Sequence, residues 1–229
     1  MSDYLNIAII ALVGLVQASL QLNLGGLILL YHASMGKHRR RKTRYLAKSY
    51  IWGAMAINFL AVCASCFVID RIFSGVMNTK WLLITIGALA ACGTIMWILY
   101  YKRGAGTEIW LPRSFTRYIR KKSRETNDDI GAFSLGILSA FGEMPLSLAL
   151  YVVAGNAILL TSAKYQLWMA LFYALLTALP MVVLKMRIKS GSNVVTAQKW
   201  RIKNKRFTRV ISGVGFFVLG WFIFTYWVM

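Results

Sequence analysis

The chain has 229 residues, 58% of them hydrophobic, and a mean hydropathy of +0.58. A soluble domain is about half apolar or less, so this composition excludes an ordinary soluble fold and indicates an integral membrane protein. The formal net charge of +20 is of the size found in nucleic-acid-binding proteins, but no nucleic-acid recognition motif accompanies it. The distribution of the charge along the chain favours an origin in membrane topology instead.

The basic residues are concentrated in three segments. Residues 37–48 hold seven Lys and Arg, residues 102–124 hold eight and residues 185–209 hold nine, which together make 24 of the 27 in the chain. These segments alternate with nearly neutral loops, as the positive-inside rule describes. The pattern predicts cytoplasmic basic loops, both termini outside, and a multi-pass protein of the plasma (inner) membrane. The excess charge also suits contact with anionic lipid headgroups or an acidic partner.

Six runs of the sequence are long enough to cross about 30 Å of hydrocarbon, which takes roughly 18 apolar residues or more. The first of them also carries polar residues. We predict transmembrane helices at about 5–31, 49–69, 81–101, 130–156, 165–184 and 210–228. The predicted fold class is therefore an all-α integral membrane protein with six spans.

The first span is unusually polar for a helix that faces lipid. It contains Gln17, Gln21 and Asn23, followed by Gly25 and Gly26. Gln17 and Gln21 are four residues apart and share one face of a helix. We expect this face to point into the helix bundle and the helix to be interrupted at the glycine pair. The alternative is that the amides only form hydrogen bonds between helices.

The basic segment in the middle of the chain, 102–129, mixes aromatic and apolar residues with its charges. It is expected to form an amphipathic helix on the cytoplasmic membrane surface. Its last three residues, 127–129, are Asn-Asp-Asp and are suited to cap the N-terminus of the fourth span.

The fourth span contains the one acidic residue that lies far from a predicted membrane boundary, Glu143. A carboxylate at bilayer depth costs several kcal/mol, roughly, even on the lenient insertion scales, and usually marks a functional site. Gly142 precedes it and Pro145 follows, which predicts that the helix is bent or broken there. Ser139 and Ser147 lie four residues on either side of Glu143, so the three share a face.

The sequence gives little support to metal or redox chemistry. Cys63 and Cys66 form a C-x-x-C pattern, but they and Cys92 lie inside predicted spans, where small residues commonly serve helix packing. His32 and His38 lack further ligands nearby, so no metal site and no cofactor are predicted.

A shift of 122 residues superposes the first span on the fourth. Gly14 then meets Gly136, and the polar residues Gln17 and Gln21 meet Ser139 and Glu143. Residues 1–101 and 130–229 each hold three predicted spans and are joined by the linker 102–129. Because three is odd, the two halves would insert in opposite orientations, as inverted repeats do in many secondary transporters. Chance similarity between two helices rich in Gly, Leu and Ala is the alternative.

The segments Gly14–Gly26 and Gly136–Ser147 in this three-plus-three arrangement resemble the superfamily of lysine-exporter-type (LysE) translocators and the membrane domains of the DsbD/CcdA thiol–disulfide conduits. The resemblance implies a six-helix inverted-repeat fold. The thiol conduits place a Cys in the first helix of each half, and here those helices contain none. The exporters carry a Pro-Gly turn in their first helix, where this chain has Gln-Leu-Asn-Leu-Gly-Gly over 21–26, so the resemblance does not supply the substrate.

These features predict a polar cavity between the first and fourth spans that binds a small solute or a proton. Its expected lining residues are Gln17, Gln21, Asn23, Ser139, Glu143 and Ser147. A protonatable carboxylate in a closed bundle suits proton coupling, or recognition of a cation when it is ionised. The structural alternative is a neutral Glu143 that is hydrogen-bonded to an amide and serves packing.

The leading functional hypothesis is therefore a secondary transporter, predicted to export a small polar or cationic solute. The second is a non-transporting accessory, assembly or immunity factor that docks a partner through its basic loops. A thiol or electron conduit has the least support. An enzyme is not predicted, because the sequence shows no nucleophile–base pair, metal cluster or phosphate loop. The sequence leaves homo-oligomerisation open.

Overall fold

The computed structural model describes residues 3–20, 22–35, 40–95, 97, 113–189, 203 and 205–229. Throughout these ranges the regular secondary structure is helical. The helices are α1 (Asp3–Ala18), α2 (Leu22–Met35), α3 (Arg40–Phe73), α4 (Thr79–Ile95), α5 (Arg113–Glu125), α6 (Asp129–Leu159), α7 (Ala163–Lys189) and α8 (Lys205–Ile223), which continues as a π-helical turn (Phe224–Val228). The prediction of an all-α protein is confirmed for the described part of the chain.

Four helical segments are long and apolar enough to cross a membrane. They are Thr43–Phe73, Asp129–Leu159, Ala163–Arg187 and Val210–Val228. Two further apolar helices, Asp3–Ala18 and Thr79–Ile95, are shorter. The predicted third span corresponds to α4, and most of its predicted last residues, up to 101, lie outside the described residues. The chain is thus a membrane protein with four full-length spanning helices in its described part.

The first predicted span is interrupted, but not at the predicted place. Helix α1 ends at Ala18 and α2 begins at Leu22, whereas Gly25 and Gly26 lie inside α2. The backbone N–H of Ser19 donates to the Leu15 and Val16 carbonyls, which closes the last turn of α1. The prediction of a break at Gly25 and Gly26 is wrong, because the two glycines keep a helical backbone.

The interruption is held by serine hydroxyls. The Ser19 hydroxyl donates to the Val16 carbonyl at 2.6 Å, and Ser212 of α8 donates to the Ser19 carbonyl at 3.2 Å. The two hydroxyl oxygens are 3.0 Å apart. Carbonyls at a helix end need partners when they are remote from water, and here side chains supply them. The end of α1 is therefore tied to the last spanning helix of the chain.

Helix α6 runs without an end through Gly142 and Pro145, so the predicted break is not present in this helix. Proline removes the N–H that would bond to the Phe141 carbonyl. Such a loss is tolerated in a spanning helix where neighbouring helices support the backbone. The predicted N-cap is confirmed, since the Asp128 carboxylate accepts from the Gly131 N–H at 3.3 Å.

Close packing of α3 against α6 forms the centre of the bundle. Gly136 lies directly against the backbone of Tyr50, and Gly155 lies against that of Cys66. These contacts advance in the same direction along both helices, so α3 and α6 are parallel. Parallel helices begin at the same side of the membrane, which agrees with the predicted cytoplasmic position of the segments that precede them.

Buried apolar side chains form two large clusters, one towards each end of the bundle. One cluster includes Leu27, Ala54 and Ala140, and the other includes Val62 and Leu146. Along each central helix, one buried polar residue lies between the two clusters: Asn58 on α3 and Glu143 on α6. This polar layer is the position of the candidate site.

Candidate functional site

The polar layer lies at the middle of the spanning helices. Asn58 is 15 residues from either end of the span Thr43–Phe73. Glu143 is 14 residues after the start and 16 before the end of α6. At about 1.5 Å of rise per residue, each side chain is roughly 20 Å along the helix from either end. Both are almost fully buried, with 1% and 3% of their surface exposed.

Five side chains from four helices form one hydrogen-bonded network in this layer, hereafter the central network. They are Gln17 from α1, Asn58 from α3, Tyr151 from α6, and Tyr173 and Thr177 from α7. All five are buried. The network therefore joins helices that are separated by long stretches of sequence.

The hydrogen bonds of the central network follow one direction. Tyr173 donates to the Gln17 carbonyl oxygen, and Gln17 Nε2 donates to Tyr151 Oη at 2.9 Å. Tyr151 donates to Asn58 Oδ1 at 2.7 Å, and Asn58 Nδ2 donates to Thr177 Oγ1 at 3.1 Å. The Thr177 hydroxyl then donates to a backbone carbonyl of its own helix at 2.8 Å. Each hydroxyl hydrogen is thus engaged, so the three hydroxyl groups have only oxygen lone pairs left to offer.

Glu143 lies next to this network. It shares a face of α6 with Ser147 and Tyr151, at four-residue spacing. Glu143, Ser147 and Tyr151 are all buried, at 3%, 0% and 2% exposed. The rings of Tyr151 and Tyr173 meet edge to face, with centroids 6.3 Å apart. The carboxyl group and the network therefore belong to one site.

The site contains a buried carboxyl group. Among the described acidic residues, Glu143 is buried, while the others are exposed: Asp3, Asp70, Glu125, Asp128 and Asp129. No Lys or Arg with a described side chain is buried. The described Lys and Arg side chains thus lie outside the buried layer that holds Glu143.

The other predicted site residues are divided between the site and its surroundings. Gln17 and Ser147 lie at the site, and both are buried. Gln21 lies outside the described residues, so the predicted Gln21–Glu143 pair stays a prediction. Asn23 lies in the first turn of α2, but its side chain is outside the described part of the chain.

Ser139 lies one helical turn from Glu143 on the side of the basic loops. It is 1% exposed, and its hydroxyl has no hydrogen-bond partner among the described atoms. A Cβ at Gly26 would come within 2.8 Å of Ser139 Oγ and would overlap the Tyr50 hydroxyl. Gly26 therefore serves close contact between α2 and these two hydroxyls, which gives it a role other than the predicted helix break.

Sequence reasoning missed most of the central network. Asn58 carried a usable signal, since an amide in the middle of an apolar run needs a partner. Tyr151, Tyr173 and Thr177 carried none, because tyrosine and threonine are ordinary residues in spanning helices. Their roles depend on partners from 93 to 156 residues away in the sequence.

The cysteines lie apart from the site. Cys63 and Cys66 are on α3 and Cys92 is on α4, and all three are free thiols. Cys66 donates a weak hydrogen bond to the Gly155 carbonyl at 3.6 Å, as expected of a small residue at a helix contact. Over the described ranges, no group of three or more His, Cys, Asp or Glu could hold a metal ion.

No family model, curated protein or solved structure matches the chain.

Proposed function

We propose that the protein is a secondary transporter of a small cationic or polar solute, built from six spans in two inverted repeats. Its substrate or coupling proton binds at Glu143, beside the central network. The observation that carries the proposal is the position of this buried acid: mid-depth, between two apolar clusters, where four helices meet. The sequence predicts export, and the direction is part of the proposal.

The chemistry of the site favours a cation over an anion. The hydroxyl hydrogens of Tyr151, Tyr173 and Thr177 are used within the network, so their oxygens offer lone pairs. Glu143 adds a negative charge to the site when it is ionised. A small ammonium-type cation or a proton satisfies both features. An anion would meet repulsion from Glu143 instead.

The interrupted first span supports movement around the site. Transporters commonly place binding sites near the midplane, beside discontinuous helices. Here Gln17 occupies the last turn of α1, one residue before the helix ends. A shift of α1 relative to α6 would break the Gln17–Tyr151 bond and open the layer. The break and the site are thus adjacent in the same span.

The packing of the helices supports the inverted repeat. Under the 122-residue shift, α1 and α2 together correspond to α6, α3 corresponds to α7, and α4 corresponds to α8. The members of each corresponding pair are in contact. The remaining contacts also form matched sets: α1 with α7 and α6 with α3, then α1 with α8 and α6 with α4. A two-fold pseudo-symmetry requires this set of neighbours.

Two glycine contacts at corresponding positions add to this support. Gly14 lies against the Leu176 and Tyr173 side chains of α7, and its counterpart Gly136 lies against the Tyr50 backbone of α3. Both tyrosines are 0% exposed. They are 123 residues apart, so they occupy matching positions in the two halves to within one residue. Each half would then pack its first span on the second span of the other half at a corresponding position.

The test is transport by purified protein in liposomes that contain a lumenal pH-sensitive dye. Small organic cations, such as methylammonium, choline and lysine, are added outside under an imposed pH gradient. We expect at least one of them to drive proton movement, and Glu143→Gln to abolish it. The matched control is Asp70→Asn, which neutralises an exposed acid at a helix end and should leave transport unchanged.

Transport that is intact in the Glu143→Gln protein would refute the site. Absence of cation-driven proton movement, together with loss of a cellular phenotype on neutralising residues 37–44, would favour the accessory-factor hypothesis. Undiminished function after replacement of all three cysteines by alanine would remove the thiol-conduit hypothesis.

A further inference from the structure

Helix α5 presents a strongly basic face that the proposed transport site does not use. Arg117, Arg120, Lys121 and Lys122 are all exposed. Glu125 is the acidic residue of this helix, and it pairs with Lys121 across 3.9 Å while both remain largely in solvent. An exposed pair of this kind is weak, so the face keeps a substantial positive field.

The opposite face of α5 is fixed to the bundle. Ile119, Ser123 and Thr126 follow the three-to-four-residue spacing of one helix face and are buried. The Ser123 and Thr126 hydroxyls donate to backbone carbonyls four residues earlier, at 2.8 and 2.7 Å. Both hydroxyls are therefore satisfied although they are buried on the face of α5 that packs against the bundle. The helix is therefore anchored on one side and charged on the other.

The anchor places α5 at the membrane boundary. Ile119 belongs to the same apolar cluster as Leu27 and Tyr31 of α2 and Ala132 of α6. Ala132 is in the first turn of α6, which has 31 residues and is therefore about 46 Å long. Since the hydrocarbon layer is only about 30 Å thick, we place this first turn at the level of the headgroups. The polar headgroup zone extends for roughly 5–8 Å beyond the hydrocarbon on each side. An arginine or lysine on α5 reaches this zone.

Tyr118 is consistent with this depth. It is 53% exposed among the cations and lies four residues before Lys122, on the same flank of the helix. Tyrosine is enriched at the level of lipid headgroups, because its ring is apolar and its hydroxyl is polar. An exposed tyrosine within a basic face thus favours a lipid surface over open solvent.

We propose that the basic face of α5 docks the phosphate headgroups of anionic lipids. Bound headgroups would hold α5 against α2, the second half of the interrupted span, and against α6, which carries Glu143. The charge complementarity of a phosphate-bearing surface and this face, at headgroup depth, selects anionic lipid as the occupant. The proposal does not depend on the identity of any transported solute.

The test is the thermal stability and lipid retention of the full-length protein in mixed micelles with phosphatidylglycerol or phosphatidylcholine. Phosphatidylglycerol is expected to raise the melting temperature and to remain bound in native mass spectrometry. The triple variant Arg117→Gln, Arg120→Gln, Lys121→Gln should lose both effects. At about fivefold per charge near an anionic surface, its affinity for phosphatidylglycerol should fall on the order of 100-fold.

Two further variants separate the face from total charge. The first, Arg71→Gln, Lys80→Gln, Lys164→Gln, removes three exposed charges elsewhere and should retain the phosphatidylglycerol response. An equal loss in this variant would show that net charge alone attracts the lipid, and would overturn the proposal.

The second variant conserves charge on α5 with Arg117→Lys, Arg120→Lys and Lys121→Arg. It should bind phosphatidylglycerol as the native protein does, and a loss here would show that charge is not the cause. Poly-glutamate offered in phosphatidylcholine micelles tests the other occupant. Binding of this peptide through α5, with phosphatidylglycerol retention unchanged in the glutamine variant, would assign the face to an acidic protein and refute lipid docking.

Discussion

Replacing Asn58 by leucine removes the hub of the central network at almost constant volume. Asn58 accepts the Tyr151 hydroxyl at 2.7 Å and donates to Thr177 at 3.1 Å. It also accepts a long bond from Gln17 at 3.4 Å. Helix-to-helix hydrogen bonds in membranes stabilise by about 0.6 kcal/mol each on average. The two shorter bonds together thus account for only about 1 kcal/mol.

The larger cost of Asn58→Leu comes from the groups left behind. The Tyr151 hydroxyl loses its acceptor, and because Tyr151 is only 2% exposed, water cannot replace it. An unsatisfied buried donor costs about 1–3 kcal/mol. We therefore expect the free energy of unfolding to fall by about 2–4 kcal/mol. The control is Thr85→Val, which removes a hydroxyl bonded only to the Trp81 carbonyl of its own helix. It should change stability by less than about 0.5 kcal/mol.

The measurement is reversible unfolding from micelles by sodium dodecyl sulfate, followed by the fluorescence of the eight tryptophans. A double-mutant cycle with Asn58→Leu and Tyr151→Phe isolates the bond between the two residues. We expect a coupling of about 1 kcal/mol, because Tyr151→Phe also removes the orphaned hydroxyl. Additive effects, within about 0.3 kcal/mol, would refute the hydrogen-bonded network.

Three other substitutions test the fold around the site. Gly136→Ala should lower the free energy of unfolding by more than about 2 kcal/mol, because the added Cβ would overlap the Tyr50 carbonyl. The control is Gly87→Ala, whose Cβ meets open space and which should be neutral or stabilise by about 1 kcal/mol. Equal effects of the two substitutions would contradict the α3–α6 contact. Pro145→Ala should restore a backbone hydrogen bond in α6 and raise the free energy of unfolding; a fall in that free energy would contradict this expectation. Slower transport by the same variant would show that the weakened turn serves movement. Asp128→Ala should cost about 1 kcal/mol, measured by the same unfolding assay, and no change would refute the cap.

The parts of the fold that hydropathy controls could be predicted from the sequence. Four of the predicted spans correspond to helices long and apolar enough to cross a membrane, because the thickness of hydrocarbon fixes the length of an apolar run. The cap at Asp128 was also predictable, since it depends on residues within one turn. Glu143 was identifiable for a similar reason: the cost of burying a carboxylate does not depend on its neighbours.

The features that depend on distant partners could not be predicted. Helix α1 ends at Ala18, where the hydroxyls of Ser19 and Ser212 satisfy backbone carbonyls. Ser212 is 193 residues from Ser19 in the sequence. The sequence placed the break at the glycine pair, 25 and 26, because glycine is the usual local signal for an interruption. A local signal competes poorly with long-range hydrogen bonds when water is absent.

The number of polar groups in the central layer argues against a purely structural role. A buried acid that served packing would need a single partner, whereas the layer that holds Glu143 also contains the five polar side chains of the central network. Apolar residues of the same shape often stabilise a core as well as a buried polar network does, because both partners of each bond disappear together. We therefore expect a variant without the whole network to have a free energy of unfolding within about 2 kcal/mol of that of the native protein, although Asn58→Leu alone is costly. This variant combines Gln17→Leu, Asn58→Leu, Tyr151→Phe, Tyr173→Phe and Thr177→Val. The same protein should lose all cation-driven proton movement in liposomes. Retained transport in a stably folded variant would show that the network only holds the helices together, and that Glu143 acts without it.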